Sequence, residues 1–206
     1  MIITSIKEQK NNSKCSIFID GAFAFSMLKS DILYFKLKEN TEISQEKYNF
    51  IMDTIIYIKA QDIALNYIGY KMRTENEVYK KLKEKEFNDD IIFRVIEFAK
   101  KYNYINDLHY CESYIKEIIK LKPKWKNLLL WELKRKGVDD KFINLALNNI
   151  ELNEFEGALK LISKKFKNIE NIDFKQKKKI FDFLAQKGYS YDIIKEAFDE
   201  FLNTKL

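Results

Sequence analysis

The residues best placed to do chemistry in this chain are its lysines and arginines, because of where they gather. Between Lys116 and Lys136 lie eight of them, Lys116, Lys120, Lys122, Lys124, Lys126, Lys134, Arg135 and Lys136, against Glu117 and Glu132. Between Lys160 and Lys187 lie nine lysines against Glu170, Asp173 and Asp182. The whole chain of 206 residues carries a formal charge of +6. Such clusters neutralise phosphates or meet an acidic protein surface. The candidate protein- or DNA-binding residues are therefore Lys122, Lys124, Lys126, Lys134, Arg135 and Lys136. Trp125 and Trp131 interleave with them. Trp131, spaced with Leu128, is assigned to the core, and Trp125 is the candidate exposed anchor. The competing reading is a solvated helix face in a chain rich in Lys, Asn and Ile.

Catalytic chemistry finds little to use. Gly21, Gly69, Gly137, Gly157 and Gly188 form neither G-x-x-x-x-G-K nor G-x-G-x-x-G, so no phosphate loop is expected. His109 is the single histidine, and with two distant cysteines it makes no zinc site. A Ser-His-Asp triad would need that same histidine, which reads as a partly exposed helix residue. Cys15 and Cys111 read as buried free thiols, not a disulfide. Asp89-Asp90 and Asp139-Asp140 resemble paired carboxylates but fall at expected helix starts, where acidic side chains favour the macrodipole. No enzyme, cofactor or metal is expected.

The elements that carry the basic residues come from a repeated phrase. Leu82-Lys-Glu-Lys-Glu-Phe-Asn-Asp-Asp-Ile-Ile returns 51 residues later from Leu133 and again from Leu184. A period of this length marks one supersecondary unit copied in tandem. Gly137 and Gly188 suit helix C-termini that need left-handed geometry. Glu86 takes the same place in the first copy, so that turn is expected to be made differently. Asn88, Asp139 and Ser190 follow in register as N-caps. Phe87, Val138 and Tyr189 precede them, spaced to staple onto Ile92, Ile143 and Ile194.

Apolar residues at three-and-four spacing then give three helices per repeat. The expected spans are 46–70, 75–86 and 88–101; 107–121, 125–136 and 139–150; and 154–167, 174–187 and 190–203. Pro123 breaks the first two helices of the middle repeat apart. Thr74 with Glu77 forms a capping box. The expected fold is mainly α: three tandem three-helix repeats in an elongated curved array, with a small N-terminal β-hairpin or sheet. The division is 1–45 for the β extension, then 46–103, 104–152 and 153–206 for the repeats.

The first 45 residues alternate instead. Lys14 to Asp20 and Ala22 to Ser26 flank Asp20-Gly21, a hairpin signal. About three strands are expected, then a short helix over 29–38, with Ser44 capping the long helix that follows. No apolar run reaches the ~18 residues of a membrane span, and the N-terminus lacks a secretory pattern. A cytoplasmic monomer without membrane contact is expected.

Several segments together resemble the RecX family, bacterial regulators of the RecA recombinase. They are Ala64-Leu65-Asn66-Tyr67-Ile68, Arg73-Thr74-Glu75-Asn76-Glu77-Val78 with Leu82, Tyr104-Ile105-Asn106-Asp107 with Tyr110-Cys111, and Trp131-Glu132-Leu133-Lys134-Arg135-Lys136-Gly137-Val138. The resemblance covers about residues 60–203. Cys111 stands where the family usually has Ala, and the third repeat is only loosely alike. The resemblance implies three tandem three-helix repeats and binding to RecA–DNA filaments. It also implies inhibition of recombinase and co-protease activities without catalysis. The alternative is a tandem helix-turn-helix-like DNA-binding protein, with weak nucleic-acid binding. Against it, the third helices carry Ile92-Phe93-Arg94, Lys141-Phe142-Ile143-Asn144 and Ile193-Ile194-Lys195, mostly apolar on the leading face where base-reading side chains would stand.

Overall fold

The computed structural model describes residues 1–10, 13–121, 126–149, 153–167 and 172–204. Its chain divides into two compact units, Met1–Asn106 and Asp107–Leu206. It is mainly α-helical, with a small N-terminal antiparallel sheet.

In the first unit β1 (Ile2–Glu8), β2 (Lys14–Ile19) and β3 (Ala22–Leu28) form an antiparallel meander. Asp20 and Gly21 take φ of 48° and 84° at the hairpin, the left-handed pair that a two-residue turn between twisted strands requires. Alternation buries Cys15, Ile17 and Ile19 on β2, and Phe25 and Met27 on β3. A fourth strand, β4 (Thr41–Glu42), pairs with the other edge of β1 and gives the order β3-β2-β1-β4. Only three strands are legible in the sequence, because two residues are too few to show alternation. The short helix is α1 (Lys29–Tyr34).

The long helix is continuous but not uniform. Ser44 accepts a hydrogen bond from the Lys47 N–H, as a cap should, and opens α2 (Gln45–Phe50). A π-helical stretch, Ile51–Ile56, then leads into α3 (Tyr57–Tyr70). The π stretch turns Ile51, Met52 and Ile56 inward before α3 buries Ala60 and Ala64. Thr74 and Glu77 form both halves of the capping box that opens α4 (Glu75–Lys83). With α5 (Asp89–Lys101) these helices complete the first repeat. The sheet and this repeat share one core, running from Ile3, Ile17 and Met27 through Ile51 to Leu82, Ile92 and Ile96.

The second unit holds two more triads, each with its own core. In one, α6 (Asp107–Leu121), α7 (Lys126–Arg135) and α8 (Asp140–Asn148) close over Cys111, Ile115, Leu129, Leu133 and Ile143. In the other, α9 (Glu154–Lys165), α10 (Phe174–Gln186) and α11 (Tyr191–Asn203) close over Ile162, Ile180, Leu184, Ile194 and Phe198. Cys15 and Cys111 are both free and buried. Among the described residues no helix is long and apolar enough to cross a membrane.

The repeated phrase makes the same turn three times. The N–H of Phe87, Val138 and Tyr189 donates back to the carbonyl of Leu82, Leu133 and Leu184, at 3.3 Å in each copy. The N–H of Glu86, Gly137 and Gly188 donates to Lys83, Lys134 and Ala185. These are the two bonds of a Schellman ending. Gly137 and Gly188 take φ of 78° and 90°. Glu86 takes φ of 64°, so the first copy is not built differently: a glutamate adopts the glycine conformation. Its carboxylate accepts from Gln9 Nε2 and, at 3.1 Å, from Ser26 Oγ, fastening the turn to the sheet.

The caps that follow are less uniform than their spacing. Asn88 accepts from the Ile91 N–H at 3.0 Å and Asp139 from the Lys141 N–H at 2.9 Å. Ser190 has the extended backbone of a cap but its side chain makes no capping hydrogen bond. The staple residues Phe87, Val138 and Tyr189 are all buried, as are Ile92, Ile143 and Ile194.

Candidate functional site

The basic face is built on α7, whose inward stripe is Leu129 and Leu133, both fully buried. Residues i and i+4 share one helix face, so Trp131, two positions from each, is turned away from the core. Trp131 is 52% exposed, which corrects its assignment to the core. Arg135 follows one turn later and sets its guanidinium 4.6 Å from the Trp131 ring centre. Planar guanidinium over indole is a favourable cation–π geometry that still leaves N–H donors for a partner. Lys126, the first residue of α7, is also exposed.

Lys134 and Lys136 are engaged inside the repeat. Lys134 Nζ lies 2.8 Å from Asp140 Oδ2 in the first turn of α8. The first repeat makes the same bridge 51 residues earlier, Lys83 Nζ to Asp89 at 2.8 Å. There Asp89 also accepts from the Tyr79 hydroxyl, and these two donors hold its carboxyl below its ordinary value. The third repeat has Ala185 and Tyr191 at those positions and cannot form the bridge. Lys136 is half-buried, its ammonium 5.6 Å and 5.8 Å from the rings of Tyr110 and Tyr114. Those rings stack at 11°. The Tyr114 hydroxyl donates to Glu132 Oε2 at 2.9 Å, and burial, then the neighbouring carboxylate, pushes its phenol far above the ordinary value.

The structure thus separates the sequence candidates. Arg135 with Trp131 forms an exposed basic and aromatic pair, and Lys126 is exposed separately, at the start of the helix. Lys134 and Lys136 are engaged by groups of their own repeat, Lys134 by Asp140 and Lys136 by the Tyr110 and Tyr114 rings. Lys122, Lys124 and Trp125 lie outside the described residues. The Lys134–Asp140 bridge was missed in the sequence, although its signal was present: Lys83 and Lys134, like Asp89 and Asp140, are 51 residues apart. Asp89 and Asp140 begin helices, as expected, and serve as lysine partners as well.

Comparison with known proteins bears on what this surface serves. Three family models match the chain: the regulatory protein RecX N-terminal domain over residues 1–44, the RecX first three-helix domain over 60–98 and the RecX third three-helix domain over 153–198. The likeness therefore includes the third repeat, which the sequence motifs showed only loosely, and extends into the N-terminal sheet, which lay outside them. The chain is 36% identical over 208 residues to the regulatory protein RecX of Clostridioides difficile, covering 98% of this chain and 96% of that one. It is 31% identical over 207 residues to that of Bacillus licheniformis, covering 96% and 76%. Among solved structures, a regulatory protein RecX superposes with a TM-score of 0.66 at 27% identity over 96% of this chain. RecX from Lactobacillus salivarius gives 0.65 at 30% identity over 70%.

Proposed function

The chain belongs to the RecX family of regulatory proteins, and from that premise we propose that it binds RecA recombinase filaments on DNA and inhibits them. The inhibited activities are strand exchange, ATP hydrolysis and co-protease action. The protein works in the cytoplasm as a monomer and catalyses nothing itself. The observation that supports this reading is the near-full-length likeness to regulatory proteins, 36% over 98% of the chain.

The mechanism we assign is electrostatic docking. A filament on DNA presents acidic protein surface and phosphates together. Lys126, Arg135 and the sequence neighbours Lys122 and Lys124 supply the opposing charge, with Lys134 and Lys136 adding to the field while paired within the repeat. Trp131 supplies flat apolar area beside the guanidinium, the combination that concentrates binding energy at interfaces. Several repeats contacting successive filament subunits gain affinity through avidity without any deep pocket.

The helix-turn-helix alternative is less well supported. The third helix of the first repeat commits Ile91, Ile92, Val95 and Ile96 to the core. Arg94 of that helix is held by Asp53 at 2.8 Å and lies over Tyr57. Side chains in these positions are not available to base edges.

Co-sedimentation with RecA assembled on single-stranded DNA tests the proposal. Wild type is expected in the pellet. Lys126→Ala/Arg135→Ala, folded by circular dichroism, is expected to shift toward the supernatant. Wild-type protein that stays in the supernatant at low salt would overturn the reading.

A further inference from the structure

The third repeat holds a lysine cluster that the filament reading does not use, and a cleft lies within it. Between the end of α9 and the second half of α10 lies an open groove of about 310 Å³, lined by Lys165, Phe166, Lys179, Asp182, Phe183 and Gln186. That is the lower end of the range for ligand pockets, ~300–1,000 Å³. Phe166 and Phe183 stand edge to face, ring centres 5.7 Å apart at 72°. Lys165 Nζ lies 3.7 Å from the centre of the Phe183 ring, and Lys187 Nζ 5.8 Å from it.

The charges here differ from those on α7. Among the described residues, no carboxylate lies within ion-pair distance of Lys165, Lys179 or Lys187. The lysine–aspartate bridge of the first two repeats is missing, because Ala185 and Tyr191 replace its partners. Lys175 and Lys178 extend the exposed positive face toward the start of α10. Aromatic rings flanked by unpaired cations suit a ligand that is itself alternately aromatic and anionic.

We infer that this cleft binds single-stranded nucleic acid, one base against Phe166 and Phe183 and the adjoining phosphates against Lys165, Lys179 and Lys187. The ammonium now resting on the Phe183 face moves to a phosphate when a base takes its place. Asp182 and the Gln186 amide offer an acceptor and a donor to the base edge. An acidic peptide fits less well, since the phenyl rings would have no role. A duplex keeps its bases stacked inside and cannot present one to the rings.

Fluorescence anisotropy with labelled oligo-deoxythymidylate, and with an abasic strand of the same length, tests this in the absence of any recombinase. Its failure therefore leaves the filament reading standing, and the converse also holds. Wild type is expected to prefer the base-bearing strand by roughly fivefold or more. Lys165→Ala/Lys179→Ala should flatten the dependence of log affinity on log salt by about 0.7 per lysine removed. Phe183→Leu should erase the preference for bases while keeping the salt slope. If that variant fails to fold, the abasic comparison and the lysine variant decide. Equal binding of both strands by wild type, an unchanged slope in the lysine variant, or full displacement by polyglutamate would overturn the inference.

Discussion

Glu86 occupies the left-handed position that the other two copies give to glycine, with φ of 64°. A residue with a Cβ is strained there by ~1–2 kcal/mol. The carboxylate offsets this by accepting from Gln9 and Ser26 across to the sheet. Glu86→Ala should lose those bonds and keep the strain, whereas Glu86→Gly should lose the bonds and relieve it. The glycine variant is therefore expected to be more stable than the alanine variant by about 1 kcal/mol. Urea titration of both would show it; an alanine variant as stable as the glycine variant would contradict the strain. Cys111 offers a second residue-scale test. Burial, with Asp107 and Glu112 nearby, pushes its thiol up to about 12. The native protein should react with iodoacetamide at Cys111 far more slowly than the unfolded chain, because the thiolate is the nucleophile. As pH rises from the ordinary thiol range toward about 12, the unfolded chain releases a proton that the folded chain retains, so stability should fall across that window. Fast labelling of Cys111 in folded protein at neutral pH would refute the buried assignment. What the sequence hid at this scale was pairing. Trp131 was misplaced by counting from Leu128, whereas the buried stripe runs through Leu129 and Leu133. At 3.6 residues per turn, Trp131 stands about 200° from either.

Helix ends were the most legible elements, because caps and Schellman turns depend on short-range backbone needs that few residue types meet. All nine expected repeat helices find counterparts among the described residues, with ends within a few positions of those expected. Less legible were the π-helical stretch at Ile51–Ile56 and β4, since neither disturbs the apolar spacing enough to be seen. The caps themselves make a graded prediction. Asp139→Ala removes a side chain that accepts from the Lys141 N–H and should cost about 1 kcal/mol. Ser190→Ala removes a side chain with no cap hydrogen bond and should cost clearly less. Thermal unfolding of the two variants would rank them, and equal losses would show that register alone, not the hydrogen bond, sets the stability. The repeated Lys83–Asp89 and Lys134–Asp140 bridges are both largely exposed, so each adds little stability by itself. Their effect is to fix the end of one helix against the start of the next.

For the whole molecule, the sequence conveyed the class and the repeat but not which charges are free. Charge counts treat Lys126, Lys134, Arg135 and Lys136 alike, whereas the structure engages Lys134 and Lys136 internally and leaves Lys126 and Arg135 outward. If docking on the filament is electrostatic, charges screened over about 8 Å at physiological ionic strength should make it salt-sensitive. The most direct measurement is ATP hydrolysis by RecA on single-stranded DNA, titrated with wild type and with Lys126→Ala/Arg135→Ala at low and physiological salt. Inhibition by wild type that weakens as salt rises, with the variant needing several-fold more protein for the same effect, is the expected result. Hydrolysis that continues unchanged at saturating wild-type protein in low salt would contradict the regulatory role proposed for this chain.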